Sequence, residues 1–195
     1  MNLEKLDLWL LAEHKNIEKI ITARTEMIDH FDSLVLNAIK DSVRKVDDRY
    51  IVEEKREKEE PWKTANIFRS GWKKKGAQWP IICFELFGWN YECLSSSAYP
   101  SGSGGGVYIK SSDTSLRMNL CKLLRRAYNG ITPFDEFKEW EGWYYYLELP
   151  NLSEIVLKTK TNESYLEDTI SQEVRRVLSA CDKLEYFIQK NKLLK

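Results

Sequence analysis

The chain has few of the residues that carry most hydrolytic and redox chemistry. Its 195 residues include two histidines and four cysteines. His14 and His30 stand sixteen positions apart on one periodic segment and do not share a helical face, so neither a metal pair nor a nucleophile's base is expected. Cys83, Cys93, Cys121 and Cys181 occur singly in apolar or periodic stretches. They lack the close spacing that zinc or a redox dithiol needs, and read as small core residues in a reducing compartment. No apolar run approaches the ~20 residues of a membrane helix. The opening Met1–Asp7 carries acids where a secretory leader would be basic, so neither export nor membrane insertion is expected, and a cytoplasmic location is. Repeats and long linkers are also missing, so residues 1–195 are read as one domain. No catalytic residue, metal site or cofactor is expected.

A 43% hydrophobic share with 12% aromatics is enough for a core, and 31% charge keeps the surface wet. The formal net charge of zero hides a partition. Residues 1–60 hold 11 Lys/Arg against 15 Asp/Glu, residues 61–130 hold 10 against 3, and residues 131–195 hold 9 against 12. A basic middle between acidic ends favours either an anionic partner or charge pairing within the molecule.

Apolar residues from Ile17 to Ile39 recur at helical spacing and predict a long helix over about 15–46; the leucine-rich residues 3–11 either start it or form a separate short helix. A second stripe from Leu166 to Ile188, opened by Ser164 and Glu167 as a capping box, predicts a helix over about 165–191. A third is expected from Asp113 or Thr114 to Asn129-Gly130. A short one begins at Thr132-Pro133 and runs through Phe137. Strands are expected at 79–87, 89–94, 106–110, 143–149 and 154–159, the first two as a hairpin about Gly88 and the last two joined at Pro150-Asn151. The charged run 53–60 reads as a solvated helix end or loop, and the glycine-serine run 101–106 as a hairpin connection. The expected class is α+β, an antiparallel sheet of about five strands packed by long N- and C-terminal helices.

The stretch from Trp62 to Trp79 contains Lys63, Arg69, Trp72, Lys73, Lys74 and Lys75 and no acid. Ammonium groups that neutralise phosphates beside rings that stack on bases are what a nucleic-acid surface requires. Arg125 and Arg126 are secondary candidates, with Lys110, Arg117 and Lys122 able to extend the patch. The plainer reading makes the tryptophans loop anchors in the core. Glu53 and Lys55, with Asp48 upstream, have the outline of a magnesium nuclease's acid and E-x-K pattern, in which two carboxylates hold the cation and the lysine meets developing negative charge. Trp143 to Tyr146 place rings on both faces of a strand, one set for the core and the other for covering helices or a groove. The preferred function is a non-enzymatic binding module for nucleic acid or an acidic protein surface. A protein-interaction or homo-oligomeric assembly domain and a metal-dependent nuclease are the alternatives.

At Trp79 through Tyr91 the string Trp-Pro-Ile-Ile-Cys-Phe-Glu, a short gap and then Asn-Tyr, with a strand pair and a long terminal helix, resembles the non-catalytic C-terminal part of PD-(D/E)XK-superfamily proteins. The likeness covers about half the chain and includes no counterpart of that superfamily's catalytic strand. It implies a nucleic-acid-associated scaffold rather than cleavage.

Overall fold

The residues described in this computed structural model are 3–56, 63–73, 76–77, 79–95, 103–110, 113–128, 136–138, 142–147, 152–179 and 181–192. The N-terminal periodicity folds as a single helix, α1 (Leu3–Val46), so the leucine-rich start and the later stripe belong to one element. At 1.5 Å per residue it is about 66 Å long. Among its described side chains full burial begins at Asp32, and Val35, Ile39 and Val43 anchor its last third in the core.

The class is α+β. Six strands form one antiparallel sheet: β1 (Tyr50–Arg56), β2 (Lys63–Arg69), β3 (Ile82–Phe87), β4 (Ser103–Ile109), β5 (Glu136–Lys138) and β6 (Gly142–Leu147), in the order β1-β2-β3-β4-β6-β5. Between and after them lie α2 (Tyr91–Ser95), α3 (Thr114–Tyr128), α4 (Leu152–Thr161), α5 (Tyr165–Leu178) and α6 (Cys181–Lys190). In-register pairing aligns Val52, Ile67, Phe84, Val107, Trp143 and Phe137 in one row across all six strands. This is the face the helices cover. Leu120 and Leu124 of α3, Ile170 and Val174 of α5 and Leu184 of α6 belong to the same core. The Trp143 indole donates to the Leu124 carbonyl at 3.1 Å, which ties α3 to β6. Ser42 and Ser171 hydroxyls, 3.1 Å apart, mark where α1 meets α5.

Several expectations are corrected. The first part of the charged run 53–60, read as a solvated helix end or loop, lies in strand β1, and Lys63 and Arg69, read as part of a basic surface, lie in strand β2. Ser103–Gly106, read as a connection, lies inside β4. A Cβ on Gly106 would sit 2.4 Å from the Tyr108 ring and 2.6 Å from the Trp143 carbonyl, so glycine is there for close packing. Tyr91–Ser95 is helical, so no hairpin turns about Gly88 to bring Cys83 and Cys93 together. Phe137 lies on β5, not in a helix, while Thr132, Pro133, Phe134, Pro150 and Asn151 lie outside the described residues. The segment 154–159, β-branched enough to suggest a strand, is part of α4. Only Ile155 is buried there, Val156 and Leu157 are exposed, and Glu154 pairs with Lys158 at 2.8 Å one helical turn on. The C-terminal helix is two elements, broken after Leu178. Its capping box does not form: the Ser164 hydroxyl instead donates to the Asp168 carboxylate at 2.6 Å. The α3 cap does form, with Leu116 N donating to Asp113 Oδ1 at 2.9 Å.

Candidate functional site

Side chains alternate across a sheet, so the row beside the apolar one points away from the helices that cover it. That row contains Glu53, Asn66, Glu85, Gly106, Tyr144 and Glu136. Polar groups in the middle of a buried sheet need partners, and Glu53 and Glu85 have them. Glu85 is 5% exposed, and its carboxylate takes the Lys110 ammonium at 2.5 Å. Lys110 is held where β4 ends by its backbone N–H, which donates to the Ile81 carbonyl at 2.8 Å. The Cys83 thiol, on the same face of β3, points at Asn66 Oδ1 (3.6 Å) and Glu85 Oε1 (3.9 Å). Burial pushes that thiol well up, with the Glu85 charge adding to it, so it is protonated and inert as a nucleophile.

Asn66 breaks the pattern. It is 1% exposed, and its Nδ2 amide has no hydrogen-bond partner among the described residues. It stands in register between Glu53 and Glu85. Lys55, two residues along β1 from Glu53, shares the face, with its ammonium 4.8 Å from the centre of the Trp79 ring. Burial, and next the Lys110 charge, lower the Lys55 ammonium below its usual value against the pull of Glu85. Two further lysines lie over rings of this face: Lys110 is 5.2 Å from Tyr108 and Lys73 is 5.7 Å from Phe68. Among the described side chains, the face therefore combines three ammonium groups, the Trp79 and Tyr108 rings beside the buried Phe68, the Glu53 and Glu85 carboxylates and one unsatisfied amide donor. Such a set can hold an anionic group on the lysines, a flat ring against the aromatics, and an acceptor on Asn66.

Comparison with protein-family models, curated proteins and solved structures finds no match.

The geometry does not gather the residues expected from the sequence into one basic patch. Lys63 and Arg69 stand at opposite ends of β2, on the helix-covered face. Lys63 pairs with Asp32 at 2.9 Å and Glu54 at 3.4 Å. Burial alone would lower its ammonium, but those carboxylates win and raise it. Arg69 pairs with Asp47 at 2.8 Å and with Glu185 of α6, and lies over the Tyr50 ring. Trp72 is no surface stacking plane. It is 3% exposed and packs edge-on against Tyr50 with ring centroids 5.8 Å apart. Lys73 is on the polar face, paired with Glu53 at 3.1 Å. Arg125 and Arg126 are exposed on the last turn of α3, Arg125 over the Phe137 ring. Lys74 and Lys75 lie outside the described residues.

Glu53 and Lys55 do share a strand face, as the nuclease reading needs. However, Glu53 is committed to Lys73, and no group of three metal-ligating side chains occurs among the described residues. The residues that sequence reasoning missed are Asn66 and Glu85. The signal was available: each is a lone polar residue inside an apolar run, Ala65-Asn66-Ile67-Phe68 and Ile82-Cys83-Phe84-Glu85-Leu86.

Proposed function

We propose that this chain is a non-enzymatic binding module that takes single-stranded nucleic acid on the polar face of its sheet, phosphates on Lys55, Lys73 and Lys110 and a base against the rings beside them. The observation that carries the reading is the buried Asn66 amide, unpartnered and set among those lysines. A buried donor left unmade costs about 1–3 kcal/mol, and a ligand acceptor would recover it. A nucleotide suits the site chemically: its phosphate meets the ammonium groups, its π-face meets Trp79 or Tyr108, and its base edge offers an acceptor to Asn66 and a donor to Glu85. A binding role without catalysis fits the protonated Cys83 thiol and the pairing of Glu53 and Glu85 with lysines. The resemblance of Trp79–Tyr91 to the non-catalytic part of PD-(D/E)XK-superfamily proteins agrees with such a scaffold.

The test is a fluorescence-anisotropy titration of labelled single- and double-stranded DNA and RNA at two salt concentrations. Binding should weaken with salt, and Lys55→Ala should reduce the logarithmic salt slope by about 0.7, as expected for one lost phosphate contact on a single strand. Asn66→Ala should weaken binding without changing that slope, and Arg126→Ala should do neither. No binding, or binding indifferent to salt and to Lys55, would overturn the proposal. Binding of a polyglutamate probe in place of every nucleic acid would move the function to an acidic protein partner.

A further inference from the structure

Helix α1 carries large apolar residues at heptad spacing that stand exposed among the described residues. Ile20, Met27 and Leu34 are 68%, 50% and 48% exposed, although they recur every seven residues on a helix that the body supports only from Asp32 onward. With these at the d positions of a heptad, the a positions are Ile17, Arg24 and Phe31. The sequence continues the repeat backward with Glu13, then leucine at 10, 6 and 3. The seam therefore has two charged members, Glu13 and Arg24, of opposite sign, and eight apolar ones. Most of a helix's stability in a protein comes from packing its apolar face, so an amphipathic arm like this gains by having its stripe covered.

We propose that the covering partner is a second copy of this chain, its α1 running antiparallel about a two-fold axis that passes between Glu18 and Lys19. Charge selects this arrangement. In an antiparallel pair each a position meets a d position of the other helix. With the axis at that point Ile17 meets Ile20 of the second copy, and Glu13 meets Arg24. The same symmetry sets Met27, Phe31 and Leu34 opposite the leucines at 10, 6 and 3. Shifting the axis by half a heptad would set both charges against apolar residues. A parallel, in-register pair would put Glu13 against Glu13 and Arg24 against Arg24, burying like charges at two layers. Only the antiparallel register satisfies both charges with each other, and it does so twice per dimer because the interface is self-complementary. Glu13 is half-buried and accepts a hydrogen bond from Asn16 at 2.7 Å, which leaves its carboxylate on the outside of its own helix. Phe31 touches Tyr91 edge-on at 6.3 Å, so the seam meets the body along its last turn.

The experiment is sedimentation equilibrium of the full chain across a concentration series, with circular dichroism to verify folding. The native protein should reach the mass of a dimer. Arg24→Glu, an exposed substitution, should raise the dimer dissociation constant at least about tenfold by setting carboxylate against carboxylate. Glu13→Arg should do the same with guanidinium groups, and the two changes combined should restore the native constant. A spin label at Asp29→Cys, on the outer side of α1, should report copies separated by about 30 Å along the helix axis, from 1.5 Å per residue; a parallel pair would bring the labels level. A mass of one chain at every concentration, a double variant no tighter than the single ones, or level labels would each overturn the proposal.

Discussion

Replacing Asn66 with leucine separates a residue kept for folding from one kept for a ligand. The Asn66 Nδ2 donor is buried and unpartnered, which costs the unliganded fold about 1–3 kcal/mol. Among the described residues its Oδ1 receives the Cys83 thiol at 3.6 Å, a weak hydrogen bond contributing about 0.5 kcal/mol. Leucine has a similar branched outline and is somewhat larger. Inserting it beside Glu85 and Cys83, both nearly inaccessible, adds strain of about 1 kcal/mol at most. The balance is a gain of about 1 kcal/mol, or about 2–4 °C in Tm for a domain of this size. Urea unfolding with an unchanged m-value measures it directly. In the anisotropy titration the same variant should lose affinity. Gaining stability while losing binding is the pattern expected of a site held unsatisfied for its ligand. If Asn66→Leu instead destabilises the fold by more than about 1 kcal/mol, the amide has a structural partner and the site argument collapses.

Two further predictions concern the scaffold. Gly106→Ala should destabilise by about 1–3 kcal/mol, because its methyl group would meet the Tyr108 ring at 2.4 Å and the Trp143 carbonyl at 2.6 Å. Gly71→Ala, with nothing within 4 Å, should change stability by less than about 1 kcal/mol in the same unfolding assay. The Arg49 hydrogen bonds, with Arg69 nearby, hold the Asp47 carboxyl down at about 2. A depressed carboxylate contributes stability above its unfolded value of about 4, and that contribution is lost as pH falls through its folded value. Native stability should therefore drop between about pH 4 and pH 2, and Asp47→Asn should flatten that part of the acid limb. Identical acid limbs in the two proteins would show that the ion-pair cluster does not couple to folding.

Helices α1, α3, α5 and α6 were legible because their apolar stripes run over several turns. The stripe of α1 repeats over many turns, so its existence and type do not depend on any one residue. Strands β3, β4 and β6 were visible for a related reason: each is a short apolar or aromatic run bounded by turn residues. Strands β1 and β2 were not, because Glu53, Glu54, Lys55 and Arg56 crowd four charges onto one edge strand, where solvent and cross-strand partners satisfy them. The same masking hid α4, whose Ile155-Val156-Leu157 run resembles a strand until the Glu154–Lys158 pair and the single buried face are seen.

The site was legible only in part, for a reason rooted in pairing. Basic residues clustered in sequence, such as Lys63, Arg69 and Lys73, become separated when alternate strand positions point to opposite faces and each finds a carboxylate from elsewhere in the chain. The acidic ends and basic middle of the sequence are largely this internal pairing: Asp32 and Asp47 come from the N-terminal third, and Glu185 from the C-terminal helices. What survives the cancellation is informative because it is small. On the polar face Lys73 is matched by Glu53 and Lys110 by Glu85, with Lys55 over the Trp79 ring and a buried amide between the two carboxylates in register. A ligand for this face therefore needs only modest negative charge and a matching hydrogen-bond edge. Affinity that rose steadily with polyanion length, without regard to base identity, would point to a surface other than this one.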